Sequence, residues 1–114
     1  DYGYFLDAVA EPPPPPPPPP IIQPLPPTNF TGSNIRVNRT ASTVEYGNAL
    51  VWTLSTDPSV VGYVLYRNGQ QIATLSGVTN TYTDSGIRRN RIYTYTIVSI
   101  NSQGVQSVPV LLSL

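Results

Sequence analysis

The chain has 114 residues, with six Arg balancing six Asp and Glu, no Lys, no His, no Cys and no Met, for a formal net charge of zero. Without Cys or His there is no disulfide framework, thiolate nucleophile, imidazole base or ordinary zinc site, and a neutral chain lacks the basic excess that phosphate neutralisation on nucleic acid requires. No apolar run approaches the length of a membrane-crossing helix, so neither nucleic acid nor membrane insertion is expected.

Charged residues make up 11% of the chain, against roughly 25% in ordinary soluble domains. Thr, Ser, Asn, Gln and Tyr fill their place. An uncharged polar surface suits an exterior assembly better than crowded cytosol, and the expected location is extracellular or at the cell surface.

Composition divides the chain into three segments. Residues 1–10, DYGYFLDAVA, crowd Tyr2, Tyr4, Phe5, Leu6 and Val9 into a stretch too short to bury them. This tail is expected to add a strand to a neighbouring subunit's sheet edge, or to pack in its groove. Residues 11–27 hold nine consecutive prolines, Pro12 to Pro20, followed by Pro24, Pro26 and Pro27. Proline fixes φ and removes the amide donor, which predicts a polyproline II stalk through Pro12, Pro16 and Pro20. At about 3.1 Å per residue the proline run would span roughly 28 Å.

Residues 28–114 alternate β-prone runs with turn signals. A first strand or strand pair falls between Asn29 and Arg39. In the next strand, near Asn48 to Ser55, Leu50, Trp52 and Leu54 face one way and Val51 and Thr53 the other. Asp57-Pro58 marks a turn. Val61 to Arg67, the hairpin signal Asn68-Gly69 and Gln71 to Leu75 follow. Thr79 to Thr83 is a short strand closed by Asp84-Ser85-Gly86, where Asp84 is expected to cap a turn through its side chain. Ile92 to Asn101 reads as the longest strand, with Tyr93, Tyr95 and Ile97 on one face, and Val105 to Leu114 closes the domain. About seven short strands and no useful helical period predict an all-β, immunoglobulin-like sandwich carrying an extended polyproline II arm.

Residues PPTNF at Pro26 to Phe30, Trp52, GYVLYRNG at Gly62 to Gly69, TYTDSGI at Thr81 to Ile87 and YTYTIVSINSQG at Tyr93 to Gly104 together resemble the fibronectin type III family, in its bacterial, secreted branch. The resemblance covers roughly residues 27–109. It implies a seven-stranded sandwich in which Tyr93 forms the tyrosine corner, its hydroxyl tied to upstream backbone. The single Trp52, with Tyr63, Leu65, Tyr93 and Ile97, supplies the expected core. Two departures stand out: the connection from Val37 to Asn48 is longer than the family's and reads as an inserted loop, and Arg88-Arg89-Asn90-Arg91 replaces the usual Pro-Gly before the tyrosine corner. The Arg cluster is of a type that contacts a carboxylate or a sulfated sugar, although a solvated edge is the plainer reading. No RGD motif is present.

The acids Asp1, Asp7, Glu11, Glu45, Asp57 and Asp84 form no recognisable catalytic pair, and a sandwich of this size offers no cleft for a sugar chain. A non-enzymatic structural protein is expected, with no catalytic residue, cofactor or metal. The leading expectation is a subunit of an extracellular filament or surface assembly, joined through its tail and proline arm to copies of itself or to another surface protein. The alternative is a spacer, or a weak carbohydrate- or protein-binding module, in a larger secreted or phage-tail protein. Val64, Tyr66, Val98 and Ile100 point away from the core face and are expected to leave an apolar outer surface. Asn29 and Asn38 satisfy the N-glycosylation pattern.

Overall fold

In the computed structural model, residues 11–18, 20–39 and 44–114 are described, without the side chains of residues 38 and 39. Seven strands follow in chain order: β1 (Thr28–Arg39), β2 (Val44–Thr53), β3 (Val60–Arg67), β4 (Gln70–Ser76), β5 (Thr81–Ile87), β6 (Thr94–Asn101) and β7 (Val110–Ser113). They form two antiparallel sheets, ordered β1-β2-β5 and β4-β3-β6-β7. The inner faces of the two sheets supply the core, with alternation clear on β2 and lost on the central strands β3 and β6, which are buried over consecutive residues. On β2, Asn48, Leu50 and Trp52 are buried while Val51 and Thr53 are exposed.

Aromatic side chains dominate the space between the sheets. Trp52 is 1% exposed, meets Phe30 edge-on with ring centroids 6.2 Å apart, and tilts against Tyr63 at 6.0 Å. Leu50, Leu65, Ile87, Tyr93, Tyr95 and Ile97 complete the cluster. Burying several such rings, each worth about 1.5–3 kcal/mol or more, is what allows a domain with no disulfide to hold together.

Turn chemistry sets the register. Asn68 and Gly69 both take positive φ, 50° and 84°. That pair of conformations makes the two-residue turn whose twist suits a β-hairpin, here joining β3 to β4.

Four expectations need correction. The stretch Val37 to Asn48 is mostly not a loop: the β1–β2 ladder continues through Arg36↔Tyr46 to Arg39↔Val44, because pairing satisfies backbone groups that a loop would leave to water. Nor is the Tyr-rich strand the longest, since β1 has 12 residues and β2 has 10 against 8 in β6. Asp84 does not cap a turn. It lies within β5, 5% exposed, and the glycine after it is a bulge: Tyr46 pairs with Ile87 and Gly47 with Ser85, leaving Gly86 unpaired at φ 74°. Lastly, Val64 and Val98 face each other across the two central strands and are only 5% and 4% exposed, so the outer face is less open than their alternation implies.

Candidate functional site

Strand register separates the two ends of the sandwich. Thr28 pairs with Thr53 at one end of the β1–β2 ladder and Arg36 with Tyr46 toward the other. Eight residue steps at about 3.3 Å place these pairs roughly 26 Å apart. The proline-rich arm enters at the first end, and the Arg-bearing turn between β5 and β6 lies at the second.

At the arm end, Leu25 sits between Pro24 and Pro26 and carries the one backbone donor of the stretch 24–27, since proline has none. That amide donates to Asp57 Oδ2 at 2.9 Å, and the Leu25 carbonyl accepts from Ser55 Oγ at 2.7 Å. Both backbone groups of one residue are thereby held by the β2–β3 loop. Pro24 and Pro27 are buried against the sandwich. The loop is itself braced: Asp57 Oδ1 accepts from the Ser59 amide and hydroxyl, and the Ser55 amide donates to the Tyr63 hydroxyl. Hydrogen bonds from the Ser59 and Leu25 amides hold the Asp57 carboxyl below its ordinary pKa. Farther out, Ile21 and Ile22 are exposed and border a shallow groove of about 460 Å³ against Asn101 and Val105.

A polar spine crosses the middle of the sandwich. Arg67 on β3 places Nη1 2.8 and 3.0 Å from the two oxygens of Asp84 on β5. The Tyr95 hydroxyl on β6 donates to Asp84 Oδ2 at 2.6 Å and accepts from Asn48 Nδ2 on β2 at 2.8 Å. Asn34 on β1 donates in turn to Asn48 Oδ1. Five strands and both sheets are joined through groups that are mostly buried. Burial, reinforced by the bond to Asp84, raises the Tyr95 hydroxyl pKa well above its ordinary value. The bond to Asp84 likewise raises that of Arg67.

Beyond this spine, at the end away from the arm, lies an open concavity of about 720 Å³ lined in part by Asn34, Arg36, Tyr46, Arg89, Arg91 and Ile92. Arg36 arrives on β1 and faces the cavity beside Tyr46 of β2; Arg89 and Arg91 come from the β5–β6 turn. The turn is fixed at its base, where the Arg88 amide donates to the Tyr93 hydroxyl at 2.9 Å, and at its tip, where Asn90 takes φ 65°. Tyr93 is held in place by paired backbone bonds with Leu114, and its ring lies 5.9 Å from the Arg67 guanidinium. Arg89 lies over the Tyr46 ring at 5.6 Å. No Asp or Glu side chain lines the concavity. Among the described residues Arg67–Asp84 is the one ion pair, and Arg36, Arg89 and Arg91 face the concavity with no Asp or Glu partner among them.

The residues anticipated from sequence fall in different places. Trp52, Tyr63, Leu65, Tyr93 and Ile97 are buried together. Tyr2, Tyr4, Phe5, Leu6 and Val9 lie outside the described residues, as does the side chain of Asn38. Pro12, Pro16 and Pro20 are exposed in a stretch with neither helix nor strand. Asn29 is exposed, but its Nδ2, the atom a glycan would modify, donates to Thr53 Oγ1 at 3.2 Å. The four described carboxylates, Glu11, Glu45, Asp57 and Asp84, are dispersed, and no group of three or more metal-ligating side chains assembles among the described residues. Nor, among them, is any helix long and apolar enough to cross a membrane. Sequence reading missed Arg36 and Tyr46 because their meeting depends on the β1–β2 register, and missed the Leu25 clamp because nothing local marks Asp57 as its acceptor.

No protein-family model matches the chain. A stretch of 59 residues, 51% of the chain, is 36% identical to exoglucanase B of Cellulomonas fimi, of which it spans 5%. Among solved structures, the chain is similar to a Fn3-like protein from Clostridium thermocellum, with TM-score 0.58 and 21% identity over 82% of this chain and 93% of that one. It is also similar to part of the spore cortex lytic enzyme SleM of Clostridium perfringens, with TM-score 0.56 and 16% identity over 78% of this chain and 28% of that one. A third likeness is to the family 28 exopolygalacturonase of Yersinia enterocolitica, with TM-score 0.59 and 13% identity over 77% of this chain and 19% of that one. The chain thus spans a small fraction of each enzyme and nearly all of the Fn3-like protein, and its fold is a fibronectin type III-like β-sandwich.

Proposed function

We propose that this chain is a non-catalytic module of a larger secreted protein that acts on polysaccharide, where it serves as an oriented spacer. The likenesses to short portions of an exoglucanase, a cortex-lytic enzyme and an exopolygalacturonase support this reading. The observation that carries it is the double hold on Leu25. An arm pinned by Asp57 and Ser55 leaves the sandwich in one direction, so whatever precedes it is held at a defined angle rather than on a swivel. The proline run, as a polyproline II rod, would extend that direction with little loss of stiffness. Backbone ¹⁵N relaxation on the whole chain tests the idea: the Leu25 amide should show an order parameter of about 0.85, as in rigid backbone, while a value below about 0.6 would make the arm a loose tether.

A second reading treats the chain as a filament subunit whose residues 2–9 join the next copy. Its support is topological: β4 and β5 end their sheets as edge strands that offer backbone groups to an incoming strand. Electron microscopy of the full chain beside residues 11–114 separates the two readings. Fibres formed only by the full chain favour the filament; dispersed particles from both favour the spacer.

A further inference from the structure

The spacer reading makes no use of the end of the sandwich opposite the arm, yet that end is the most chemically distinctive surface of the molecule. Three guanidinium groups from two separate elements, Arg36 on β1 and Arg89 and Arg91 on the β5–β6 turn, converge on one open concavity that is lined by no Asp or Glu side chain and that Leu114 also borders. In a chain of zero net charge this local concentration is not the expression of a generally basic surface. The turn that carries two of the three is tied at its base by the Tyr93 hydroxyl, which accepts from the Arg88 amide, and takes left-handed backbone at Asn90. Such bracing spares a bound ligand the cost of ordering the loop.

The remaining lining narrows the class of ligand. Ile92, 77% exposed, presents apolar surface, the part-buried Tyr46 ring backs the Arg89 guanidinium, and Asn34 presents amide hydrogen-bonding groups among the cations. A pyranose ring has one apolar face and a rim of hydroxyls, and a uronic acid adds a planar carboxylate that matches the two-pronged donor geometry of guanidinium. An open concavity with several separate cations suits a polymer bearing one carboxylate per sugar better than a single small anion. Nucleic acid fits poorly, because binding through the phosphate backbone calls for an extended basic stripe.

We propose that this concavity binds an acidic glycan of the polyuronate class, with Arg36, Arg89 and Arg91 engaging successive carboxylates, Arg89 backed by the Tyr46 ring, and Ile92 underlying a sugar ring. The site lies roughly 26 Å from the arm, by the strand rise given above, so a module projected on its arm presents the site outward. This inference stands apart from the spacer reading, which relaxation at Leu25 tests separately.

The experiment is an NMR titration of the ¹⁵N-labelled chain with oligogalacturonate at low salt. Amide shifts should concentrate at Arg36, Tyr46 and Arg89 to Ile92. Arg89→Ala and Arg91→Ala should each weaken binding about tenfold, the loss of one charge-assisted contact. Both side chains are exposed, so the variants should keep the wild-type amide spectrum elsewhere, which excludes misfolding as the cause. Binding should also weaken as salt rises from about 50 to 200 mM, and methyl-esterified oligogalacturonate should not bind. The proposal is overturned if shifts are absent or lie outside these residues, or if a variant carrying both Arg89→Ala and Arg91→Ala binds as well as wild type. Equal binding of polyglutamate would remove the glycan from the assignment. Tighter binding of dextran sulfate at matched charge would replace the carboxylate with a sulfate.

Discussion

Tyr95→Phe removes one oxygen from the centre of the sandwich and changes almost nothing else. The Tyr95 ring is fully buried and stays in place, so no cavity opens and the apolar contacts with Tyr93 and Ile97 persist. Two hydrogen bonds go: the one donated to Asp84 Oδ2 at 2.6 Å and the one accepted from Asn48 Nδ2 at 2.8 Å. A bond to a charged group contributes about 1.5–3 kcal/mol and a neutral one about 1 kcal/mol, so the expected loss is roughly 2.5–4 kcal/mol. Asp84 keeps Arg67, which holds the figure below that for an abandoned buried charge. In a domain of this size each kcal/mol moves Tm by about 4–8 °C, and the variant should melt roughly 10–30 °C lower. Urea unfolding followed by Trp52 fluorescence gives the free energy directly, and a double-mutant cycle with Asp84→Asn isolates the shared term. A loss below about 1 kcal/mol would refute the view that the polar spine locks the sheets together.

Other perturbations probe separate parts of the structure. Trp52→Ala should cost about 3–5 kcal/mol by chemical denaturation, whereas Trp52→Phe should cost clearly less, because the indole Nε1 makes no hydrogen bond in the core. Gly86→Ala should destabilise by about 1–2 kcal/mol even though an added Cβ meets nothing within 4 Å, since φ 74° penalises any side chain; an unchanged melting curve would argue against the bulge. The Asp57 pKa is lowered in the folded state, so its hold on Leu25 is complete above the ordinary carboxylate pKa and fades as pH falls through and below it. Amide exchange at Leu25, corrected for intrinsic rate, should lose protection in acid and should lose it at neutral pH in Asp57→Ala. The Tyr95 pKa is raised, so its contribution persists below the usual tyrosine value of about 10 and is lost as pH climbs above it; ultraviolet titration should find this ring resisting ionisation above that value.

The sandwich was legible because its signals are local. Alternation at Asn48 to Thr53, the Asn68-Gly69 turn and the run from Tyr93 to Ile97 each specify conformation within a few residues, and each has its place in the two sheets. The errors arose where local and long-range signals compete. Asp84-Ser85-Gly86 has the composition of a turn, yet a single bulge at Gly86 lets β5 continue to Ile87, and the carboxylate is drawn inward by Arg67, 17 residues away in sequence. Residues from Val37 onward look like an insertion when measured by length alone; cross-strand pairing turns most of them into ladder and brings Arg36 beside Tyr46. The Arg88 to Arg91 cluster was visible as a departure from the family pattern, but its convergence with Arg36 is a property of register. Nothing near Leu25 or Asp57 announces their contact, which spans 32 residues.

The two hydrogen bonds on Leu25 should make the proline-rich arm leave the sandwich in a fixed direction. The chain contains no Cys, so paired spin labels can be attached without competing thiols at Ile22→Cys on the arm and Leu111→Cys on β7, both exposed positions. Pulsed electron-electron resonance should return one narrow distance distribution for this pair, broadened when Asp57→Ala is added. A distribution already broad without that substitution, and unchanged by it, would contradict the claim and leave the arm a flexible tether.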